Sequence, residues 1–315
     1  MHYSIILNPT AGNGKAQKEW QLIEPQLIQA QASFDIHTTK DRSSAEYFAT
    51  RLVQRRKKDI VMVIGGDGTL HQVLNGLIKE SHRLHTSPLP LAFIPAGINN
   101  DFARAFGVPL KPLDALQQIL NTTTVTNVNI GHYHEAIKNE EGYFLNNIGV
   151  GFDAAIVSRV NGKSARKQST AFHLWHSGYL RQALGVVYDQ QPFQLMVQQG
   201  SSRNFYPRAY IVLLVNHPFI GGGVKVAPTS SLSQPQLDLL VAEQKGWPIT
   251  FWQLIQFSRG KLPNSRFADH LTGPQFHYTT TSLEFEQSDG EPLGNRFVDL
   301  RTDVTQYPFW QTTKS

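Results

Sequence analysis

The sequence predicts two domains, an N-terminal α/β domain built on a parallel, Rossmann-like sheet and a mainly β C-terminal domain. From residue 3 to about 130, short apolar runs alternate with helix-length periodic segments, which is typical of βαβ units. After about Asn127, strand-like segments predominate. The chain of 315 residues also exceeds what one compact core usually holds. We expect a first domain over residues 1–127, rejoined by 300–315, and a second over 128–299.

In the first domain the clearest strands are Ile5 to Leu7, Ile60 to Ile64 and Leu91 to Ile94. Helical spacing predicts a first helix that buries Ala16, Trp20, Ile23 and Leu27. The segment Ser43 to Glu46 has the form of a capping box and predicts the start of a second helix. A third helix should begin near Thr69 and carry on one face Leu70, Val73, Leu74 and Leu77.

The second domain is predicted from the strand-like segments Tyr143 to Leu145, Phe193 to Val197, Tyr210 to Val215, Leu237 to Val241 and Leu283 to Phe285. Two helical stretches interrupt them, Phe172 to Tyr188 and Pro248 to Arg259. The segment Phe297 to Leu300 is a candidate strand that returns to the first domain.

Composition narrows the classes of function. The chain has no cysteine, which excludes a disulfide framework and thiolate chemistry. Its start lacks the features of a signal peptide, and no apolar run approaches the roughly 20 residues that cross a bilayer. The net charge of +5 and pI near 9.3 favour anionic partners without choosing among nucleotide, nucleic acid and acidic membrane. We expect a cytoplasmic protein, peripheral to any membrane on which it acts.

The strand Ile60 to Ile64 leads into Gly65-Gly66-Asp67-Gly68-Thr69, and a helix follows at once. Backbone N–H groups and the helix N-terminus would converge there, and the glycines would let a polyphosphate approach the main chain. Asp67 would repel phosphate unless Mg²⁺ bridges the two, so the loop predicts a metal-bound polyphosphate. The competing interpretation is a tight turn with Asp67 as helix cap, but a turn needs only one glycine.

A second loop, Asn8 to Lys15, follows the first strand. It is not a Walker A loop, because Pro9 and Ala16 replace the required Gly and Ser or Thr, and Gln17 breaks a Rossmann fingerprint. A third loop, Pro95 to Arg104, enters a short helix, although its polar residues would also suit a cap or turn. Because the carboxyl ends of parallel strands meet at one sheet edge, we expect one ligand site there. Its candidate residues are Asn8, Gly12, Gly14, Lys15, Gly65, Gly66, Asp67, Gly68, Thr69, Gly97, Asn100, Asp101 and Arg104.

The last motif places Asp289, Gly290 and Glu291 at the end of a strand. Alone, an Asp-Gly pair between strands predicts a hairpin turn. Phosphoryl transfer to an alcohol needs a carboxylate that orients the hydroxyl and takes its proton. Asp289 and Glu291 are therefore also candidate catalytic residues, if the fold brings them to the glycine loops.

Two further groups of residues have ordinary structural explanations. His132 with His134, and His173 with His176, have spacings that could chelate a metal, but no carboxylate or cysteine lies at motif distance. We expect surface or packing roles for these histidines. The segment Arg159 to Arg181 interleaves basic and aromatic residues, which suits anionic headgroups and an amphipathic helix equally well.

Taken in order, these motifs resemble the diacylglycerol kinase catalytic family, and in particular the soluble bacterial lipid kinases. The resemblance spans nearly the whole chain and rests on Asn8-Pro9, Gly65 to Thr69, Asn100 to Arg104, Asn146 to Ala154, Gly221 to Gly223 and Asp289 to Glu291. The Gly65 to Thr69 motif alone is shared with NAD kinases and sphingosine kinases.

This resemblance implies an α/β nucleotide domain, a β-sandwich domain and an active site in the cleft between them. It implies ATP with catalytic Mg²⁺, Asp67 near the metal and phosphates, and Asp289 as general base with Glu291 beside it. The implied reaction phosphorylates the hydroxyl of a membrane lipid, diacylglycerol above all, to a phospholipid such as phosphatidic acid. The expected partners are ATP and a lipid at the membrane surface; nucleic acid is not expected, and a homodimer is left open.

Three departures from the family pattern matter. Ile98 stands where relatives have a threonine after the glycine, so a hydroxyl expected near the nucleotide is missing. Asn129 replaces a junction aspartate, and the loop Ala227 to Asp238 keeps only Asp238 of the acidic residues that hold a structural Mg²⁺ in some relatives. Because Mg²⁺ needs several oxygen ligands, most of the charge coming from carboxylates, we expect no structural Mg²⁺ here.

Two other functions stay open. An NAD kinase shares the Asp67 loop and also phosphorylates a hydroxyl, although the segment Asp289 to Glu291 argues against it. A nucleotide-binding regulator, or an inactive kinase homologue, is suggested by Ile98 and Asn129.

Overall fold

The chain folds into two units, Met1–Val128 with Gln306–Ser315, and Asn129–Thr305. The computed structural model describes residues 1–41, 43–151, 154 and 190–311. Three sequence predictions lie outside the described residues, namely the helix Phe172 to Tyr188, the basic and aromatic segment Arg159 to Arg181, and the pair His173 and His176.

The first unit is an α/β structure. Its elements are β1 (His2–Leu7), α1 (Ala11–Gln29), β2 (Ser33–Thr38), α2 (Ser44–Gln54), β3 (Ile60–Gly65), α3 (Asp67–Leu84), β4 (Leu91–Pro95), α4 (Asp101–Phe106) and α5 (Pro112–Leu120). Strands β2, β1, β3 and β4 lie side by side in that order and are parallel, with Tyr3 opposite Ile60 and Val61 opposite Leu91. The predicted parallel sheet and its three strands are confirmed.

Burial explains which of these elements the sequence reveals. Strands β3 and β4 are buried along their whole length, and β1 is buried from Tyr3 onward, so all three are almost entirely apolar. The predicted apolar faces of α1 and α3 are buried as expected. Strand β2, which was not predicted, lies at the sheet edge and has a half-exposed, largely polar sequence.

Both predicted helix starts lie close to the observed ones, but the expected capping hydrogen bond is missing. Helix α2 begins at Ser44, but the Ser43 side chain forms no capping hydrogen bond. The Asp41 carboxylate instead accepts hydrogen bonds from the Ser44 N–H (2.9 Å) and from Ser43 Oγ (3.0 Å). Asp41 therefore accepts the first N–H of the helix, while the expected bond from the Glu46 N–H to the Ser43 hydroxyl is not formed. Helix α3 begins at Asp67, two residues before Thr69, because Gly66 is the last extended residue.

The second unit is mainly β, as predicted. Its elements are β5 (Thr126–Glu135), β6 (Glu140–Phe144), β7 (Asn147–Gly151), β8 (Phe193–Gln199), β9 (Ser202–Val215), β10 (Phe219–Ile220), β11 (Val224–Lys225), β12 (Leu237–Glu243), α6 (Trp247–Ser258), a 3₁₀ helix (Leu262–Asn264), β13 (Asp269–Gly273), β14 (Gln275–Thr280), β15 (Glu284–Ser288), β16 (Glu291–Arg296) and β17 (Asp299–Phe309). Strand β9 pairs antiparallel with β8 along its first half, and with both β7 and β12 along its second half.

The return strand is longer than predicted. Strand β17 pairs with β14 inside the second unit and then enters the first unit, where Phe309 lies beside Leu91. The Gln311 side chain follows and bonds both the N–H (2.8 Å) and the C=O (2.9 Å) of Phe93. The predicted segment Phe297 to Leu300 overlaps only the first two residues of the strand, because the residues that follow alternate polar with apolar side chains. None of the helices in the described part of the chain is long and apolar enough to cross a bilayer.

A buried ion cluster lies beneath the β15–β16 hairpin. The Glu286 carboxylate is 3.4 Å from Arg296 Nε, while Arg296 Nη1 is 2.8 Å from Glu140 and 3.8 Å from Glu135. Burial raises the pKa of Glu286 to about 7; Arg296 opposes this shift, and the charges of Glu135 and Glu140 add to it. A carboxyl with a raised pKa in the folded state favours folding fully below its ordinary pKa, and that contribution is lost as the pH rises through about 7.

We predict that Glu286→Gln removes this pH dependence. The unfolding free energy of the variant minus that of the wild type should become more positive from pH 5 to pH 8, by up to about 3 kcal/mol. Urea unfolding at the two pH values measures it. Glu46→Gln is a matched control, because the Glu46 side chain is 46% exposed and its ion-pair partner is Lys79 rather than a histidine. A Glu286→Gln difference that is the same at both pH values would contradict the assignment.

Candidate functional site

The predicted nucleotide loops follow β1, β3 and β4, which are neighbours in the parallel sheet. They therefore lie at one edge of that sheet, as expected. The Asn8 side chain joins the first two loops, since its Nδ2 donates to Thr69 Oγ1 at 2.9 Å. Its Oδ1 accepts from the N–H and the hydroxyl of Thr10, at 3.2 and 2.9 Å. Asn8 thus orients its own loop against the start of α3.

Asp67 joins the second and third loops. Its two carboxylate oxygens accept hydrogen bonds from the N–H groups of Asp101 (3.1 Å) and Phe102 (3.2 Å). Asp67 is therefore a helix cap, but of α4 rather than of its own helix. These bonds hold a carboxylate at the edge of the sheet in a fixed orientation, beside the N-terminus of α3.

Close backbone contacts explain several glycines. A Cβ on Gly97 would lie 2.5 Å from the Gly66 Cα, and a Cβ on Gly12 would lie 2.3 Å from the Ala96 oxygen. The third loop is also held from within, because the Asn100 side chain bonds both the N–H (2.9 Å) and the C=O (3.0 Å) of Gly97. Side chains on Gly12, Gly66 or Gly97 would push the loops apart.

The two predicted basic residues, Lys15 and Arg104, contact groups in their own chain segments. Lys15 Nζ lies 3.1 Å from the nearly buried Glu19 carboxylate, one helical turn further along α1. Burial raises the pKa of Glu19, and Lys15 opposes the shift. Arg104 Nε makes one long bond, 3.4 Å, to the Asn99 oxygen. Ile98 of the third loop is about one-third exposed.

Asp289 and Glu291 belong to the second unit, whereas the three loops belong to the first. Asp289 (φ 50°) and Gly290 (φ 84°) form the two-residue turn of the β15–β16 hairpin, with Ser288 opposite Glu291. This matches the I′ turn that an Asp-Gly pair predicts. The Asp289 carboxylate also accepts three main-chain hydrogen bonds, from the N–H groups of Leu145 (2.7 Å), Asn146 (2.8 Å) and Asn147 (2.9 Å). Asp289 is thus more than a turn residue.

The segment that binds Asp289 is itself held by residues that sequence reasoning missed. Asn216 Nδ2 donates to the Leu145 carbonyl at 3.0 Å, and the Asn146 Oδ1 accepts from His217 Nε2 at 2.7 Å. His217 Nδ1 accepts the Phe219 N–H, so the proton lies on Nε2. Full burial lowers the pKa of His217 to about 4, which keeps the ring neutral. The sequence signal that could have identified Asn216 and His217 is their position directly after an apolar strand.

Asp238 is the carboxylate that the loop Ala227 to Asp238 retains. It bonds Ser230 Oγ, Thr272 Oγ1 (2.6 Å) and His270 Nε2 (2.6 Å). Burial alone would raise the pKa of Asp238, but these three hydrogen bonds lower it below its ordinary value. Within the described residues, no group of three or more acidic or histidine side chains is placed to hold a metal. The lack of a structural Mg²⁺ stays a prediction.

The predicted histidine pair at 132 and 134 has packing and pairing roles. His132 Nδ1 lies 3.2 Å from Asp303, and the ring packs on Tyr143. His134 Nε2 bonds Asn139 Oδ1 at 3.1 Å. Each ring thus has its own partners, as expected for surface or packing histidines.

Two family profiles match the sequence. Residues 2–133 match the diacylglycerol kinase catalytic domain, and residues 146–304 match the YegS C-terminal NAD kinase beta sandwich-like domain. The chain belongs to the diacylglycerol kinase family. The resemblance inferred from the loop motifs is confirmed, as are the α/β and mainly β classes of the two parts, and the protein is a kinase of this family.

Relatives extend over almost the whole chain. The chain is 29% identical over 301 residues to YtlR of Bacillus subtilis, a protein provisionally named a lipid kinase, and the match covers 93% of this chain and 94% of that one. It is 27% identical to a diacylglycerol kinase of the same species, over 94% of this chain and 92% of the relative. A crystal structure of a diacylglycerol kinase from Bacillus anthracis has the same fold, with a TM-score of 0.69, 21% identity and coverage of 99% and 97%.

We predict that Gly12→Ala and Gly14→Ala differ sharply, although both residues have a positive φ of 59° and 84°. Alanine in this region costs about 1 kcal/mol in either position. A Cβ on Gly14 meets no atom within 4 Å, whereas one on Gly12 meets the Ala96 oxygen at 2.3 Å. Gly12→Ala should therefore lose about 1–3 kcal/mol more unfolding free energy in urea. Equal losses would show that the first and third loops do not meet.

Proposed function

We propose that this member of the diacylglycerol kinase family is an ATP-dependent lipid kinase, with diacylglycerol as the preferred acceptor and phosphatidic acid as the product. The observation that carries the proposal is the Asp67 carboxylate, held by two main-chain N–H groups at the edge where the glycine loops meet. The diacylglycerol kinase name of a relative that matches along the whole chain supports the choice of acceptor.

ATP would bind at the loops that follow β1, β3 and β4. Glycine backbones allow phosphates to approach the main chain, and the N-terminus of α3 favours negative charge. Asp67 suits a Mg²⁺ ion that bridges it to the phosphates, because a hard cation prefers carboxylate and phosphate oxygens. Lys15 and Arg104 would add positive charge. The family's use of ATP agrees with this assignment, and the Mg²⁺ role belongs to the proposal.

Asp289 would act as general base. The acceptor hydroxyl attacks the γ-phosphorus, the bond from that phosphorus to the bridging oxygen breaks, and ADP leaves. The hydroxyl proton passes to the Asp289 carboxylate, with Glu291 beside it. The three main-chain hydrogen bonds from residues 145–147 would keep that carboxylate in one orientation during the transfer. The acceptor lipid would be reached from the membrane surface by a peripheral protein.

An NAD kinase is the second candidate, because the family profile of the second unit is described as NAD kinase beta sandwich-like. An inactive nucleotide-binding homologue is the third, suggested by Ile98. Labelled ATP presented with NAD, and separately with diacylglycerol and other lipids in mixed micelles, separates all three. Label in phosphatidic acid supports the proposal; label in NADP, or in no product at all, overturns it.

We predict that Asp289→Asn lowers turnover on the accepted lipid by about 10²–10⁴-fold. Asparagine keeps the shape of the side chain and one oxygen that can accept main-chain bonds, but it cannot take the proton. The melting temperature, followed by circular dichroism, should show that the variant remains folded. A folded variant with turnover near that of the wild type would remove Asp289 from the role of base.

Two variants of Asp67 distinguish metal binding from helix capping. Asp67→Asn keeps an oxygen for one of the two N–H groups of α4 but loses the charge, whereas Asp67→Ala loses both oxygens and the charge. If Asp67 binds the metal, both variants should lose turnover and Mg²⁺-dependent ATP affinity, and Asp67→Ala should also melt at a lower temperature. Calorimetry that finds wild-type Mg²⁺·ATP affinity in Asp67→Asn would leave only the capping role.

A further inference from the structure

Helix α6 of the second unit has two apolar faces. One is buried in the core of the unit and is formed by Thr250, Gln253, Leu254 and Phe257, at the spacing of a helix face. The exposed surface of the helix carries Trp247, Phe251 and Trp252, which are 55%, 44% and 44% exposed. The second face is unusual, because a surface helix normally presents polar or charged residues to water.

The exposed aromatic residues form one patch rather than isolated surface positions. Trp247 and Phe251 are four residues apart and therefore lie one turn apart on the same side of α6. Trp252 lies about 100° further round the helix and extends the exposed aromatic surface. The helix contains no charged residue over its 12 positions. Single exposed apolar residues are common on proteins, but a contiguous patch of large ones marks an interaction surface.

Basic residues precede and follow this helix along the chain. Lys245 precedes α6, and Arg259, Lys261 and Arg266 follow it; all four side chains are exposed. No acidic residue occurs between Gln244 and Ala268. The whole segment therefore carries four positive charges and no negative charge around an aromatic face.

The patch is held in place from beneath. The Gln253 amide, buried under α6, donates to the carbonyl oxygens of Glu243 and Phe267, both at 2.9 Å. These residues belong to the chain segments before and after the helix. The aromatic face is thus presented by a fixed helix, and little ordering would accompany its docking.

We propose that the aromatic face of α6, with its four flanking cations, docks on an anionic membrane surface. Tryptophan and phenylalanine partition into the interface between headgroups and acyl chains, and lysine and arginine attract anionic lipid. A protein partner that matched this surface would have to supply acidic groups around an apolar centre, whereas an anionic bilayer supplies both everywhere. The biological purpose of this docking rests on the proposed lipid kinase function, whereas the vesicle-binding experiments do not depend on it.

Vesicle co-sedimentation tests the surface without any kinase assay. The wild type should bind phosphatidylglycerol/phosphatidylcholine vesicles and bind pure phosphatidylcholine vesicles more weakly. The double variant Phe251→Ser/Trp252→Ser should lose binding about tenfold or more, because two large apolar side chains no longer enter the bilayer. Phe205→Ser is the matched control, since Phe205 is 61% exposed in the same unit but lies on β9; it should bind like the wild type.

A charge variant tests the flanking cations separately. Lys245→Gln/Arg259→Gln/Lys261→Gln should reduce the preference for anionic over neutral vesicles, and should weaken the salt dependence of binding. Melting temperatures should show that every variant is folded at the assay temperature, although Phe251→Ser/Trp252→Ser should melt somewhat lower because about half of each ring is buried. Binding of the aromatic or the charge variant that equals wild-type binding would overturn the proposal.

Two further results distinguish membrane docking from a dimer interface, and the docking proposal from the proposed function. If the wild type sediments as a dimer and Phe251→Ser/Trp252→Ser becomes monomeric with unchanged vesicle binding, α6 is an interface between copies of the chain, and the membrane proposal is wrong. Activity on a dispersed short-chain diacylglycerol reports on the kinase alone. A wild type that binds vesicles through α6 but phosphorylates no lipid would sink the proposed function and leave the docking surface standing.

Discussion

Carboxylates that accept hydrogen bonds from main-chain N–H groups organise the loops of both units. Asp67 binds the first N–H groups of α4, and Asp289 binds three consecutive N–H groups at residues 145–147. A buried N–H without a partner costs about 1–3 kcal/mol, so each carboxylate stabilises a backbone that would otherwise need water. The same bonds fix the carboxylates themselves. An acidic side chain used in this way is oriented by the fold before any ligand arrives.

The other close contacts among the three loops of the first unit follow from the hydrogen bonds of Asp67. Once Asp67 draws α4 toward the start of α3, the loops approach so closely that Gly97 has no room for a side chain beside Gly66. The Asn100 side chain then satisfies both polar groups of Gly97, which removes the need for a neighbouring strand or water. In the second unit, Asn216 and the neutral His217 support the backbone that binds Asp289. Under the proposed function, main-chain N–H groups would thus set the positions of the two carboxylates that take part in the reaction.

Much of this could be predicted, and the misses have physical causes. The strands of the parallel sheet were found because burial on both faces makes β3 and β4 continuously apolar, whereas the exposed edge strand β2 has no such pattern. The capping box at Ser43 did not form: the Ser43 hydroxyl bonds the Asp41 carboxylate instead, and that carboxylate also accepts the first N–H of the helix. A capping role for Asp67 was the competing interpretation of its loop, and it concerned the helix that Asp67 itself begins. Its true partner is 34 residues away, a distance in sequence that no local pattern encodes.

Local chemistry in the sequence by itself determined the two classes of structure, the three glycine loops, the Asp-Gly hairpin and the family. These depend on periodicity, backbone freedom and motif order, all of which are visible in consecutive residues. Only the tertiary structure decided that Asp289 accepts N–H groups from residues 145–147 and that α6 leaves Trp247, Phe251 and Trp252 exposed. An apolar helix such as α6 has the same sequence whether one face or both are covered. Burial is set by what packs against each face, and that information lies in distant parts of the chain.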